Sequence, residues 1–119
     1  MTIEKIYICS ALRGNVQANI RKVKEYCRWA AVECGVIPIA PHLLFPQFLD
    51  DDIEAEREIG INFGLELLKE CSALWYFGDK VTGGMVIEIN EAFRLGIPVK
   101  YVSAEEMKIQ KDDGGLIYG

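Results

Sequence analysis

The stretch ALWYFGDKVTGGMVIEINEAFRLGIPVKYVS, residues 73–103, changes its hydrophobic rhythm twice. ALWYFG (73–78) is a short run of apolar and aromatic residues and reads as a strand, and GDKVTGG is a loop. MVIEINEAFRLG (85–96) then spaces its apolar residues at helical intervals, with Met85, Ile89, Ala92 and Phe93 as the predicted inward stripe and Gly96 as the stop. IPVKYVS (97–103) returns to a strand pattern. Two strands separated by one helix make a right-handed crossover, so this segment predicts a parallel pair.

The same alternation runs back to the N-terminus. KIYICS (5–10) is a first strand, and residues 15–34 carry Val16, Ile20, Val23, Cys27, Ala30, Ala31 and Cys34 on one helical face before Gly35. VIPIA (36–40) is a second strand, and Pro38, which lacks an N–H, places it at a sheet edge. PHLLFPQFLDDD (41–52) is irregular and apolar. From about Ile53 to Cys71 a second helix is expected, with Asp51 or Asp52 as N-cap and Glu54 and Glu56 complementing the positive helix start. The remainder reads as a short helix and a glycine-loosened tail, with a last strand at Leu116 to Tyr118.

Strict alternation gives an α/β three-layer sandwich with a flavodoxin-like or Rossmann-like parallel sheet of four to five strands. With 119 residues the expectation is one domain, 1–119, with one core and one site. The formal charge of −5 argues against a nucleic-acid polymer as partner, since such a surface needs a basic stripe. Cys9, Cys27, Cys34 and Cys71 form no CxxC pair, and MTIEKIYIC runs straight into a strand, so a cytoplasmic protein with reduced thiols is expected. One histidine makes a metal centre an unattractive reading, and no apolar run approaches the length of a membrane span.

Ligands of such sheets bind beyond the carboxyl ends of the strands, which directs attention to the loops there. After the first strand, Ser10, Arg13 and Gly14 offer a hydroxyl, a guanidinium and a flexible backbone at a helix start, a plausible anion cradle; the alternative is a plain turn capped by Asn15 with Arg13 in solvent. After the third, Thr82, Gly83 and Gly84 lead into the helix carrying Glu88, which is flanked by Val86 and Ile87. Glu88 is either a solvated helix charge or a carboxylate held at a pocket, ionised by the helix dipole and a donor such as Arg13. His42 is the sole imidazole, and Asp50 to Asp52 suit a helix cap better than a cation. Gly60 and Gly64 each cost the second helix about 1 kcal/mol relative to alanine, which close packing or close ligand approach must offset. Trp75, Tyr76 and Phe77 are chiefly core, although Tyr7 and Phe77 lie near strand ends where a ring could stack on a base.

YICSALRGN and GGMVIEINEAFRLGIPV together resemble the nucleoside 2-deoxyribosyltransferase superfamily, notably its deoxynucleoside-monophosphate N-glycosidases. The full layout, with PHLLFPQFLDDD and EREIGINFGLELLKEC, is similar to a small branch of domains of unknown function (DUF4406-like) within it. The resemblance implies N-glycosidase or deoxyribosyltransferase chemistry on a nucleoside or nucleoside 5′-monophosphate, with Glu88 attacking C1′ and with no metal or organic cofactor. Tyr7, Arg13 and Gly14 would shape the nucleotide site, Thr82 would meet a phosphate, and the protein would be a homo-oligomer. The chain departs from the pattern at Ala11, where the glycosidases carry a serine beside the position of Ser10, and at Gly64, where an assisting aspartate is expected. His42, Asp50, Asp51 or Glu56 would have to replace that acid. A noncatalytic nucleotide-binding or sensing domain is the alternative, and an interaction module built on the apolar loop from Leu43 to Leu49 is a third.

Overall fold

The computed structural model describes residues 2–108. Strands β1 (Lys5–Cys9), β2 (Ile37–Ile39), β3 (Ala73–Phe77) and β4 (Val99–Val102) alternate with helices α1 (Val16–Cys34), α2 (Glu54–Leu68) and α3 (Gly83–Leu95). All pairings are parallel and the strand order is β2-β1-β3-β4, the flavodoxin-like arrangement. The proline-bearing β2 stands at an edge, where its missing donor breaks no central ladder. Strand order reverses between β1 and β3, so a crevice opens at their carboxyl ends.

The pleat sends alternate β1 residues to opposite faces. Ile6 and Ile8 join Val23, Trp29, Ala30, Phe77 and Val102 in the layer beneath α1, whereas Tyr7 and Cys9 join Leu68, Leu74, Met85 and Ala92 beneath α2 and α3. The three layers predicted from alternation are therefore present. Gly35 and Gly96 end α1 and α3 in the left-handed conformation, with φ of 69° and 73°.

Several local expectations are corrected. Phe93 is 65% exposed: Met85 and Ala92 face inward with Ile89 beside them, and one further residue rotates Phe93 out of the stripe. Ile53 is the N-cap of α2 and gives no side-chain bond, while Glu54 and Glu56 do occupy its first turn. Phe77 points away from the crevice and stacks on Tyr26 at 4.4 Å between ring centroids. The segment expected to be irregular winds into two 3-10 turns, Pro41–Leu43 and Phe45–Gln47. A helical turn follows β4 at residues 104–108, and the last strand expected at 116–118 lies outside the described residues. Among the described residues no helix is long and apolar enough to cross a membrane.

Leu74 is fully buried on central strand β3, so Leu74→Ala should cost about 2–5 kcal/mol, read as a lower urea midpoint with an unchanged slope.

Candidate active site

Glu88 sits one turn into α3, above the carboxyl end of β1. The Tyr7 hydroxyl donates to its Oε2, and the Cys9 thiol lies 3.4 Å from Oε1. Both donors come from the β1 face that the pleat turns toward α3. Burial raises the carboxyl of Glu88 above its ordinary range, and His42, Tyr7 and Cys9 pull it back. Burial raises both the Tyr7 phenol and the Cys9 thiol, reinforced by the adjacent carboxylate, so each remains a neutral donor. The expected role of Arg13 in holding Glu88 ionised is thus corrected: the partners of this carboxylate are a phenol and a thiol, and Arg13 is engaged elsewhere.

The Tyr7 hydroxyl also accounts for one helix glycine. A Cβ at Gly64 would stand 2.9 Å from Tyr7 Oη, closer than side chains tolerate. The position expected to hold an acid on α2 is filled instead by the tip of Tyr7, and α2 brings no carboxylate against Glu88.

A cavity of about 350 Å³ opens over Glu88, within the range of small-molecule sites. Its inner end is formed by Ser10, His42, Thr82, Gly83, Gly84 and Glu88. Ser10 is 4% exposed and its Oγ has no hydrogen-bond partner among the described residues. Thr82 caps α3 by accepting from the Met85 N–H at 3.4 Å, while the Gly83 and Gly84 amides have no helical acceptor. The helix start that lines this cavity is that of α3; the start of α1 is capped in the same manner by Asn15, which accepts from Ala18 N at 3.1 Å, but borders the adjoining groove instead. His42 Nε2 lies 2.9 Å from the Ser10 carbonyl, a bond that requires the proton on Nε2 and leaves Nδ1 uncommitted.

The outer end has apolar walls from Phe45, Pro46, Leu49 and Ile61 and a charged rim. Arg13 Nε is 3.1 Å from Asp51 Oδ2, and Arg57 Nε is 3.9 Å from Asp51 Oδ1. Asp51, expected as a helix cap, is thus an ion-pair partner at the cavity mouth, and Asp50 turns back to accept from Asp52 N. Of the residues singled out from sequence, Ser10, Arg13, His42, Asp51, Thr82, Gly84 and Glu88 line one cavity. Tyr7 lies behind Glu88, and Gly14, with φ of 98°, borders an adjoining open groove. Leu44 and Phe48 of the apolar loop are exposed, whereas Leu43 packs on the core. Sequence reasoning missed Cys9, Arg57 and the Phe45 to Leu49 wall. Strand alternation could have paired Cys9 with Tyr7, but nothing local marks Arg57.

A sequence profile for the Domain of unknown function (DUF7768) matches residues 4–102, in place of the DUF4406-like branch expected from the sequence. Among curated proteins none matches. Two solved structures share the fold. A 2-deoxyribosyltransferase from the psychrotolerant bacterium Bacillus psychrosaccharolyticus superposes with a TM-score of 0.67 at 20% identity, covering 83% of this chain and 72% of its own. A conserved protein from Enterococcus faecalis V583 gives a TM-score of 0.59 at 19% identity over 84% of this chain, which spans 63% of that protein.

Because the folded carboxyl of Glu88 titrates above its ordinary 4.5, its burial is fully tolerated below that pH and opposes folding as pH rises through the higher value. Glu88→Gln should therefore melt near wild type at pH 4 and increasingly above it toward pH 7; parallel melting curves across that range would refute this. Gly64→Ala should lower stability by about 1–3 kcal/mol through the clash with Tyr7, and a double-mutant cycle in denaturant should show it costing less in a Tyr7→Phe background, whose own loss of the Glu88 donor is measured separately.

Proposed function

Since this chain belongs to the DUF7768 family, a domain of unknown function, its chemistry rests on the site itself, and we propose that it cleaves the N-glycosidic bond of a nucleoside or nucleoside 5′-monophosphate. The observation that carries this reading is one carboxylate, Glu88, enclosed by two neutral donors at the floor of a nucleoside-sized cavity. A carboxylate facing an anomeric carbon is what glycosyl transfer requires. The 2-deoxyribosyltransferase fold supports the same substrate class.

In this reading the sugar lies over Glu88. Oε2 is anchored by the phenol, and Oε1, which faces only the weaker thiol donor, attacks C1′. The C–N bond breaks, its electron pair moves onto the base, and the base nitrogen takes a proton. Gly64 supplies none, Asp51 is ion-paired with Arg13 at 3.1 Å, and Glu56 Oε1 accepts from the Asp50 N–H at 2.9 Å. His42 lies beside Glu88: as an imidazolium, with Nε2–H on the Ser10 carbonyl, it gives its Nδ1 proton to the base, and the neutral imidazole left takes the proton back in the second step. Water or an acceptor base then attacks C1′, loses its proton and restores the carboxylate. A 5′-phosphate would meet the free amides at the start of α3 and the unpartnered Ser10 Oγ.

A second reading, a noncatalytic nucleotide sensor, is favoured by one feature, the missing acid at Gly64. Chromatography of free base after incubation with nucleosides and their 5′-monophosphates separates the two. Base release that Glu88→Ala abolishes supports the enzyme; binding without release in wild type supports the sensor. His42→Asn should slow release of hypoxanthine by about 10²–10⁴-fold yet spare 7-methylguanine, whose positive charge makes it a leaving group without protonation. An equal loss on both would remove His42 from the proton path.

A further inference from the structure

We propose that Arg57 and Asp51 read the far edge of the base and select oxo bases, in which a ring carbonyl adjoins a ring N–H, over amino bases. The inference rests on the glycosidase reading and adds its substrate class. Hypoxanthine, guanine, uracil and thymine carry the selected edge; adenine and cytosine carry an amino group beside a bare ring nitrogen.

The guanidinium of Arg57 is unusual for what it does not do. Its side chain is only 28% exposed, it lines the cavity, and it makes no hydrogen bond among the described residues. Its ion pair with Asp51 Oδ1 at 3.9 Å is too long for a hydrogen bond, so five N–H donors in a rigid fork remain available. Partly screened from water on the cavity wall and without a protein hydrogen-bond acceptor among the described residues, this fork is free to turn to a ligand acceptor. Asp51 is the complementary half. Arg13 engages its Oδ2 at 3.1 Å and fixes the carboxylate, while Oδ1 keeps lone pairs free beside the fork.

The outer cavity thus presents donors and an acceptor side by side. An oxo edge offers the matching pair in the matching order, carbonyl to guanidinium and N–H to carboxylate. An amino edge reverses both, setting NH2 against the guanidinium and a lone pair against the carboxylate.

Placement agrees with this polarity. Gly64 abuts Tyr7 at the reacting end, and Arg57 lies seven residues back along α2, about 10 Å along its axis. That interval separates the floor under the sugar from the rim that a base reaches. The walls between, Phe45, Pro46, Leu49 and Ile61, are apolar and grip ring faces without reading edges.

The test compares 2′-deoxyinosine with 2′-deoxyadenosine, with and without 5′-phosphate, by kcat/KM in wild type and in Arg57→Met, which keeps the aliphatic stem. Hydrogen-bonding sites reject a mismatched analogue strongly, so wild type should prefer the hypoxanthine substrate by about 100-fold or more. Arg57→Met should bring that ratio within about 10-fold, by slowing the oxo substrate far more than the amino one. Equal use of both substrates by wild type, or an equal loss on both in the variant, overturns the proposal. If wild type releases neither base, the glycosidase reading fails on its own, and calorimetric titration with free hypoxanthine and adenine decides the recognition. A preference for hypoxanthine that Arg57→Met erases upholds it, and equal or absent binding overturns it.

Discussion

The enclosure of the Glu88 carboxylate between the Tyr7 hydroxyl and the Cys9 thiol is the interaction around which this molecule is arranged. An acid withdrawn from water must find donors, and these arrive from one face of one strand. Tyr7 and Cys9 can both reach it only because β1 is the strand beneath the start of α3, next to the reversal of strand order. Gly64 follows from the same demand: the phenol that serves Glu88 needs the volume a side chain on α2 would take. The helix accepts the conformational cost of a glycine, about 1 kcal/mol, so that a polar contact can form across 81 positions of sequence.

Electrostatically the cavity has two unlike ends. At the inner end, helix amides, the buried Ser10 hydroxyl and the His42 imidazole gather around the Glu88 carboxyl. At the outer end, two guanidinium groups share one carboxylate. With a formal charge of −5 on the chain, any attraction for an anion here would have to be short-range and directional. Exposed ion pairs contribute little to stability, so the Arg13 contact with Asp51 matters more for orienting the rim than for holding the fold.

The alternation of strand and helix was legible because each change of period is written in consecutive residues, and it located Glu88 and the inner end of the cavity through the rule for ligands of parallel sheets. The failures were of a different kind. Asp51 has the composition of a cap, yet ion pairing with Arg13 and Arg57 outcompetes an N-terminal amide, and neither arginine is close enough in sequence to announce it. Two helix starts were candidates for an anion, and only that of α3, with Thr82, Gly83 and Gly84, lines the cavity over Glu88, whereas Gly14 at the start of α1 borders the adjoining groove. Phe93 shows the limit of counting: one residue is about 100° of helix, enough to move a ring from core to solvent. Arg57 could not be read at all, since its significance is a guanidinium that makes no hydrogen bond among the described residues, which only three dimensions display.

Met85 carries a consequence for the field around the inner end. A helix start capped by threonine ordinarily has glutamate or glutamine three residues on, whose side chain reaches back to the cap amide. Here the thioether of Met85 receives the Thr82 N–H at 3.5 Å, and the rest of its side chain is buried against the sheet. Sulfur closes the motif without bringing a formal charge. A carboxylate in the same position would discharge the positive end of the helix from within; the methionine leaves that potential intact, a vacancy in charge that only something entering from outside can fill.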